Sequence, residues 1–274
     1  MTVLDGALLG AIQGLTEFLP VSSSGHLILA RSLLGIQYAD GLAFDAVLQL
    51  GTTVAALVYF RQTLTALCRN ALRFLISLGK NVDKNQHALL KSLLIGTLPA
   101  LVLGVLLEHT METVFRNPLW VAVGLLFGSG LFLLAERRAT QAQTLPPDAS
   151  TGFRIGLFQA LALLPGVSRS GSTISGGLLA GLDRESATRF SFLLSLPIIT
   201  GSGLKQLLSL FGHASFNATP LLPLATGTLV SALVGWWCIH FLLRYLKTHT
   251  LQAFVIYRIA LAIVIVLIFG IRGR

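Results

Sequence analysis

Two apolar stretches of this chain, residues 3–34 and 153–182, are each interrupted near the middle by a short polar sequence. The interruptions read PVSSSGH in the first stretch and PGVSRSGS in the second. Each apolar half has roughly 12 to 15 residues, too few for a helix to cross a hydrocarbon core of about 30 Å. A broken helix is tolerated at membrane depth only where protein or a wet cavity covers its free backbone groups. The two stretches therefore predict re-entrant helical hairpins.

Six other segments are apolar over about the 20 residues that a spanning helix requires. They are residues 43–60, 89–107, 119–135, 190–210, 221–243 and 251–271. Charged residues make up 11% of the chain, against about 25% in soluble domains, and the mean hydropathy is +0.77. We therefore expect an all-α polytopic membrane protein, one integral membrane domain over residues 1–274 with six transmembrane helices and two re-entrant hairpins.

The 20 Lys and Arg residues against 11 Asp and Glu give a formal net charge of +9. Most basic residues lie between the first and second spans, after the third, before the fourth and after the fifth, whereas the loops 108–117 and 211–219 hold only Arg116. Loops rich in Lys and Arg stay in the cytoplasm, so both chain ends are expected outside. Topology thus explains the charge, and no nucleic-acid partner is expected. No cleaved signal peptide is expected either, because the first ten residues lack a basic region.

Shifting the sequence by 146 residues superposes the two interrupted stretches. The identical pairs include Gln13 with Gln159, Val21 with Val167, Ser22 with Ser168, Ser24 with Ser170, and Gly25 with Gly171. A shorter offset relates 96–104 to 227–235, although chance matches between apolar segments are common. The repeat halves, about 1–138 and 152–274 with a linker at 139–151, each contain one hairpin and three spans. An odd number of spans predicts an inverted-topology repeat whose hairpin tips meet near the midplane.

Polar and ionisable residues inside a membrane are expensive and are candidates for function. In the first interrupted stretch they are Gln13, Glu17, Ser22, Ser23, Ser24 and His26. In the second they are Ser168, Arg169, Ser170, Ser172 and Thr173. A helix start with free N–H groups, hydroxyls and a guanidinium binds phosphate, and a carboxylate with an imidazole suits metal binding and proton transfer. This combination predicts phosphoryl chemistry on a lipid.

Structural roles are the alternative at each of these positions. Serines beside a helix break can serve only as caps, and His26 can merely satisfy a backbone group of a neighbour. Glu17 and Arg169 can form a structural ion pair, because a lone charge at that depth requires a partner. Arg258, in the last predicted span, is expected to be a structural polar contact that could also reach the cavity.

The polar residues lie in sequences that resemble a known family, the bacterial undecaprenyl-diphosphatases of the bacitracin-resistance type. The matching stretches are QGLTEFLPVSSSGHL at 13–27 and LPGVSRSGSTISGGLLAGLDRESATRFSFLLSLP at 164–197. The similarity extends from end to end, including the length and the placement of the spans. The resemblance implies an enzyme of the bacterial cytoplasmic membrane that hydrolyses undecaprenyl diphosphate to the monophosphate, recycles the lipid carrier of peptidoglycan synthesis and confers bacitracin resistance.

The resemblance also implies a divalent cation, Mg²⁺ or Ca²⁺, bound through Glu17, and a site that opens toward the outer face of the membrane. By motif, the catalytic residues are Glu17, Ser23, His26 and Arg169, and the substrate-binding residues are Gln13, Ser22, Ser24, Ser168, Ser170 and Thr173. Gln13 stands where many members of the family have Glu, so position 13 supplies no second carboxylate. The expected partners are a polyprenyl diphosphate and the bilayer, and a homodimer stays open.

Three nucleophiles are compatible with these residues. His26 can attack phosphorus itself and form a phosphohistidine, or it can act as the acid or base for Ser23 or for water. Two other functions fit parts of the sequence. A lipid or solute carrier explains the inverted repeat, and a structural membrane subunit explains the spans, although not the charges at the broken helices. Release of inorganic phosphate from a polyprenyl diphosphate distinguishes the enzyme from a carrier.

Overall fold

The computed structural model describes residues 1–36, 41–77, 82–107, 118–139, 147–212 and 221–270, and every regular element in these ranges is a helix. The helices of the first half are α1 (Val3–Phe18), α2 (Ser23–Leu34), α3 (Gly41–Tyr59), α4 (Arg61–Ile76), α5 (Lys84–Leu106) and α6 (Pro118–Arg138). Those of the second half are α7 (Ala149–Leu161), α8 (Arg169–Leu179), α9 (Arg184–Gly212), α10 (Leu221–Tyr245) and α11 (Gln252–Ile265), which continues into a π-helical turn (Val266–Gly270). Most of the predicted linker, residues 140–146, lies outside the described residues, as do the loop 108–117 and residues 213–219 of the loop 211–219.

Among the described residues, five helices are long and apolar enough to cross a membrane: α5, α6, α9, α10, and α11 with its π-helical turn. They correspond to five of the six predicted spans, and they expose large apolar side chains such as Leu98, Phe127 and Leu233. The remaining predicted span corresponds to α3, which has 19 residues and a shorter described apolar part, Phe44–Tyr59. The chain is a multi-pass, all-α membrane protein, and the count of six crossings stays a prediction.

Both interrupted stretches are broken where the sequence predicts. In the first stretch, α1 ends at Phe18 and α2 begins at Ser23. In the second, α7 ends at Leu161 and α8 begins at Arg169. Each stretch therefore consists of two short arms that meet at a non-helical segment, and the second arm of each begins with a predicted site residue.

The residue before each second arm has the same unusual backbone. Ser22 and Ser168 have φ angles of 76° and 72°, and in the described part of the chain they are the only residues other than glycine with positive φ. This conformation is costly for a residue with a Cβ, and it persists where the surroundings enforce it. Since the two serines are 146 residues apart, the break has the same construction in both halves of the repeat.

The first arm of each hairpin packs against a span of the other half, α1 along α10 and α7 along α5. The backbones themselves are in contact. A Cβ added to Gly10 would lie 2.1 Å from the carbonyl oxygen of Gly227, and one added to Gly156 would lie 2.3 Å from that of Gly96. Gly96 and Gly227 belong to the similar segments 96–104 and 227–235, so that sequence match corresponds to equivalent helix contacts.

One helix, α4, lies where hydropathy indicates only a basic connection between spans. The side chain of Asn70 ties α4 to the start of α5, because its Oδ1 accepts the backbone N–H of Asp83 at 2.9 Å and its amide nitrogen donates to the Asp83 carbonyl at 3.3 Å. Asp83 in turn caps α5 by accepting the backbone N–H groups of Asn85 and Gln86. The cap starts α5 before the apolar run begins.

A buried apolar cluster supports the two helix breaks. It includes Phe18 at the end of α1, Phe132 of α6, Ile174 of α8 and Phe192 of α9. The rings of Phe18 and Phe192 meet edge to face with centroids 5.1 Å apart. Because protein interiors are close-packed, these contacts fix the two breaks relative to the surrounding spans.

Candidate active site

The side chain of Glu17 joins the two hairpins. It is buried in the last turn of α1, and its Oε2 accepts hydrogen bonds from Gln13 Nε2 at 2.9 Å and from Ser23 Oγ at 2.8 Å. Its Oε1 lies 2.5 Å from Nη2 of Arg169, the first residue of α8. The spacing of four residues puts Gln13 and Glu17 on one helix face, and the break returns Ser23 to that face. Four predicted site residues from two distant segments are therefore in direct contact.

Two polar atoms of this group have no hydrogen-bond partner in the described part of the chain. They are Oε1 of Gln13 and Nη1 of Arg169, and both are buried. Buried polar groups are nearly always paired, and leaving one unpaired costs about 1–3 kcal/mol. An amide oxygen is a suitable ligand for a cation, and a guanidinium N–H is a suitable donor to phosphate. The two atoms thus match the two kinds of ligand that the sequence predicts.

Gln159, the repeat counterpart of Gln13, is a further unpartnered group. Its side chain is 2% exposed, and neither Oε1 nor Nε2 has a partner among the described residues. It lies in the last turn of α7, before the second break. The repeat is the signal that could have marked it as a candidate, because the offset of 146 residues pairs it with Gln13.

The serines at the two breaks form equivalent pairs. The hydroxyl oxygens of Ser22 and Ser24 lie 3.4 Å apart, and those of Ser168 and Ser170 lie 3.2 Å apart. Ser168 also accepts the backbone N–H of Gly171 at 3.3 Å and so caps α8, whereas the side chain of Ser22 makes no such bond at the start of α2. Ser168 is therefore a helix cap, and its contact with a substrate stays a prediction.

Ser170 and Thr173 use their hydroxyl groups within the protein. Ser170 Oγ donates to the carbonyl of Leu19 at 3.2 Å, which links the second hairpin to the first. Thr173 Oγ1 donates to the carbonyl of Arg169 at 2.8 Å and lies 2.5 Å from Ser191 Oγ. Both side chains thus support the backbone around Arg169, and their contact with a substrate stays a prediction.

His26 is held at both ring nitrogens. Nδ1 lies 2.8 Å from the carbonyl oxygen of Ser22, and Nε2 lies 2.6 Å from the hydroxyl of Tyr257 in α11. The two rings are nearly parallel, at 6°, with centroids 5.6 Å apart. Nδ1 thus satisfies a backbone carbonyl, and a catalytic role of His26 stays a prediction. Tyr257 was missed by sequence reasoning, because a tyrosine in an apolar span carries no motif.

Arg258 of α11 is fully buried and binds the backbone of both breaks. Its Nη1 donates to the carbonyl of Pro20 at 3.1 Å, and its Nη2 lies 3.1 Å from the carbonyl oxygens of Gly166 and of Val167. Further hydrogen bonds reach two carbonyls of α6, and the guanidinium carbon lies 4.7 Å from the centroid of the Phe132 ring. The predicted structural role of Arg258 is confirmed.

The side chains near the breaks fit a metal ion only in combination with a ligand. Among the described residues, no group of three His, Cys, Asp or Glu side chains is placed to bind a metal. The site offers one carboxylate, Glu17, and the unpartnered oxygen of Gln13. Mg²⁺ is usually bound through one or two carboxylates together with substrate phosphates and water. The donor set therefore fits a cation that binds together with a phosphate.

Comparison with known proteins agrees with the resemblance seen in the sequence. A family model described as bacitracin resistance protein BacA matches residues 6–264. The undecaprenyl-diphosphatase of Rubrobacter xylanophilus is 45% identical over 266 residues, which cover 96% of each chain. The undecaprenyl-diphosphatase of Desulforudis audaxviator is 42% identical over 275 residues and 100% of each chain, and that of Chlorobium phaeobacteroides is 40% identical over 271 residues, 96% of this chain and 95% of the relative. With a match over nearly its whole length, the chain belongs to the bacitracin resistance protein BacA family.

Proposed function

We propose that this chain is an undecaprenyl-diphosphatase, which hydrolyses undecaprenyl diphosphate to undecaprenyl phosphate and inorganic phosphate. Membership of the BacA family and the shared name of the relatives support both the activity and the substrate. Within the site, the proposal rests on the contact between Glu17 and Arg169, which brings a carboxylate and a guanidinium together where two helices break. The reaction returns the lipid carrier to peptidoglycan synthesis and confers resistance to bacitracin.

Arg169 binds the diphosphate in this proposal. Its Nη1 is unpartnered, and its Nη2 can exchange Glu17 for a phosphate oxygen. A guanidinium can hold two phosphate oxygens at once. Because Arg169 is the first residue of α8, the free N–H groups of the helix start lie beside it and also favour an anion. These donors would stabilise the negative charge that develops on the phosphates in the transition state.

Glu17 and Gln13 are proposed to hold a divalent cation, Mg²⁺ or Ca²⁺, together with oxygens of the diphosphate. The unpartnered Oε1 of Gln13, on the same helix face as Glu17, supports this assignment. If Arg169 turned to the substrate, Glu17 would lose its counter-charge and could hold a cation. A bound cation would neutralise phosphate charge and so reduce the repulsion that an attacking oxygen meets.

The nucleophile is His26, Ser23 or water. Ser23 Oγ donates its hydrogen bond to Glu17 Oε2, so Glu17 is the base in direct contact with Ser23. His26 would attack phosphorus itself or accept the proton of a water molecule. Stopping a single turnover and testing the protein for bound phosphate separates the three, since phosphohistidine is lost in acid, phosphoserine is lost in alkali, and direct attack by water leaves neither.

In the bacterial cytoplasmic membrane, α3 is proposed to be the sixth spanning helix, and the pairs α1–α2 and α7–α8 to be re-entrant hairpins that enter from opposite sides. The exchanged packing of the two halves, α1 on α10 and α7 on α5, supports an inverted repeat. The basic side chains of α4, Arg61, Arg69 and Arg73, favour a cytoplasmic position for this helix. The site would then open toward the outer face.

A lipid carrier is the second candidate, because inverted repeats with broken helices are typical of transporters. The exchanged packing of the two halves favours it. It does not require the pairing of Glu17, Ser23 and Arg169, which hydrolysis uses directly. A carrier would move the lipid between the leaflets of a vesicle and leave its diphosphate intact.

The test is release of inorganic phosphate from undecaprenyl diphosphate by the purified protein in detergent with Mg²⁺. We expect release by the wild type and almost none by Glu17→Gln, which keeps the shape of the side chain. Glu185→Gln is the matched control, because Glu185 lies at the start of α9 with a partly exposed side chain that pairs with Lys247. The proposal is wrong if the wild type releases no phosphate while it moves the lipid across vesicles.

A further inference from the structure

We propose that the hydroxyl of Tyr257 positions His26 for the hydrolysis. Its hydrogen bond to Nε2 of His26 holds the lone pair of that nitrogen in a fixed direction until the substrate replaces the hydroxyl. The inference rests on the proposed function and extends it to a residue of the last span. Tyr257 is 231 positions away from His26 in the chain, and the packing of α2 and of α11 against α6 brings the two together.

The hydrogen-bond partners of His26 determine which ring nitrogen carries the proton. A carbonyl oxygen can only accept, so the 2.8 Å contact of Nδ1 with the Ser22 carbonyl requires the proton on Nδ1. In a neutral imidazole the lone pair is then on Nε2. The hydroxyl of Tyr257, 2.6 Å away, donates to that nitrogen. Nε2 is thus the nitrogen that can accept a proton or attack phosphorus, and the phenol occupies it.

Tyr257 and its neighbour Arg258 have opposite surroundings. Arg258 is 0% exposed and bonded to both helix breaks, whereas Tyr257 is 45% exposed. Arg258 therefore fixes the place where α11 meets the first hairpin, and the exposed phenol has room to move away from Nε2. The nearly parallel stacking of the two rings adds a second contact that holds the plane of the imidazole.

Both proposed roles of His26, nucleophile and proton acceptor, require Nε2 at a defined place. When His26 attacks phosphorus or takes a proton from water, the phosphate or the water replaces the phenol hydroxyl at Nε2. Without the hydroxyl, only the ring stacking and the Nδ1 hydrogen bond to the Ser22 carbonyl hold the imidazole, so it can turn more freely about its side-chain bonds. Fewer molecules would then hold the nitrogen in the reactive orientation, which lowers turnover without removing the groups that bind substrate.

The variant Tyr257→Phe keeps the stacked ring and removes only the hydroxyl. We expect kcat for phosphate release to fall about tenfold, as for a small misplacement of a reacting group, with KM changed by less than about twofold. The second measurement is acylation of His26 by diethyl pyrocarbonate, an electrophile that the unprotonated imidazole nitrogen attacks, followed by mass spectrometry of the peptide. Acylation should be severalfold faster in Tyr257→Phe, and added undecaprenyl diphosphate should slow it.

Tyr245→Phe is the matched control. The Tyr245 ring stacks on the ring of His249 with centroids 4.3 Å apart, but the atom of Tyr245 that contacts His249 Nδ1 is its backbone carbonyl oxygen, which the substitution keeps. This variant should leave kcat and the acylation of His26 unchanged. Equal acylation of His26 in wild type and Tyr257→Phe would overturn the inference, and so would an unchanged kcat. If the wild type released no phosphate, the proposed function would fail first, and the two failures are therefore distinguishable.

Discussion

Ser23 and Arg169 are 146 residues apart, occupy equivalent positions of the internal repeat, and bind opposite oxygens of one carboxylate, that of Glu17. Each is the first residue of the second arm of its hairpin. The repeat thus presents two helix starts to the same acid, and each start offers free backbone N–H groups. Because a hydroxyl can release a proton and a guanidinium can bind phosphate, the two residues are predicted to have different roles in the reaction.

The variant Arg169→Lys tests whether Arg169 holds the diphosphate. Lysine keeps the charge but loses the planar fork that binds two oxygens at once. We expect kcat/KM for phosphate release to fall at least about tenfold, which corresponds to about 1.4 kcal/mol of transition-state stabilisation. A purely structural ion pair predicts a different pattern. Arg169→Ala would then melt early, because removing one partner of a buried pair costs about 3–5 kcal/mol, and the folded remainder would stay active.

Glu17 and Gln13 can be separated by substitution, since they share a helix face but only one carries a charge. Glu17→Ala should nearly abolish turnover, whereas Gln13→Ala should lose much less activity and require more Mg²⁺ to reach its maximum rate. A chelator should inactivate the wild type, and Mg²⁺ or Ca²⁺ should restore it. Titration of phosphate release against cation concentration measures the maximum rate of each variant, its Mg²⁺ requirement and the recovery after chelation. Equal losses in both variants would mean that Glu17 has no special role at the metal.

Arg258 is predicted to hold both helix breaks rather than to take part in the chemistry. Arg258→Met removes the guanidinium at similar volume and leaves buried carbonyls unpaired at about 1–3 kcal/mol each. For Arg258→Met we expect the melting temperature in detergent to drop and activity to disappear with it. The melting temperature of Arg258→Lys should lie between those of Arg258→Met and the wild type. Arg154→Met, at an exposed position of α7, is the control and should melt like the wild type. An unchanged melting temperature of Arg258→Met would contradict the assignment.

The backbone contact between α1 and α10 should make Gly10 sensitive to the smallest substitution. In Gly10→Ala the new Cβ would lie 2.1 Å from the carbonyl oxygen of Gly227, so the two helices must separate. Overpacking of this kind typically costs about 1–3 kcal/mol. Gly130→Ala in α6 is the control, because its Cβ meets no atom within 4 Å and alanine is the better helix former by about 1 kcal/mol. Thermal unfolding should therefore shift in opposite directions for the two variants.

The native Cys68, which is exposed in α4, reports the orientation of the chain. We expect it to be shielded from an impermeant thiol reagent outside intact cells and to react in inverted membrane vesicles. The buried Cys238 should stay unreactive in both preparations. With Cys68 replaced by serine, a cysteine introduced by Thr113→Cys should react from outside. Labelling of Cys68 from outside would reverse the orientation, and with it the face to which the site opens.

The helix breaks could be predicted because their causes are local in sequence. Pro20 lacks a backbone N–H and restricts the residue before it, and serines that can cap a helix follow directly. For Glu17 and Arg169, the sequence left two alternatives, a structural ion pair or a phosphate site, and it could not decide between them. The structure contains the ion pair, and Nη1 of Arg169 stays an unpartnered donor that a phosphate oxygen could accept.

Other parts of the site depend on contacts that no local pattern encodes. Tyr257 meets His26 because α2 and α11 both pack against α6, and an apolar span gives no periodic signal for the residue that faces a break. The start of α5 was missed for another reason. Hydropathy marks the apolar part of a helix, whereas the cap at Asp83 determines where the helix begins.

The glycine contacts of the two first arms also restrict how the molecule can move. With backbone against backbone at Gly10 and Gly227, and again at Gly96 and Gly156, no layer of side chains separates α1 from α10 or α7 from α5. Side chains that change rotamer normally let packed helices slide, and at these glycine contacts there are none to do so. Each pair should therefore travel as one rigid body. Entry and exit of a long lipid would then rely on the second arms, α2 and α8, and on the exposed ring of Tyr257.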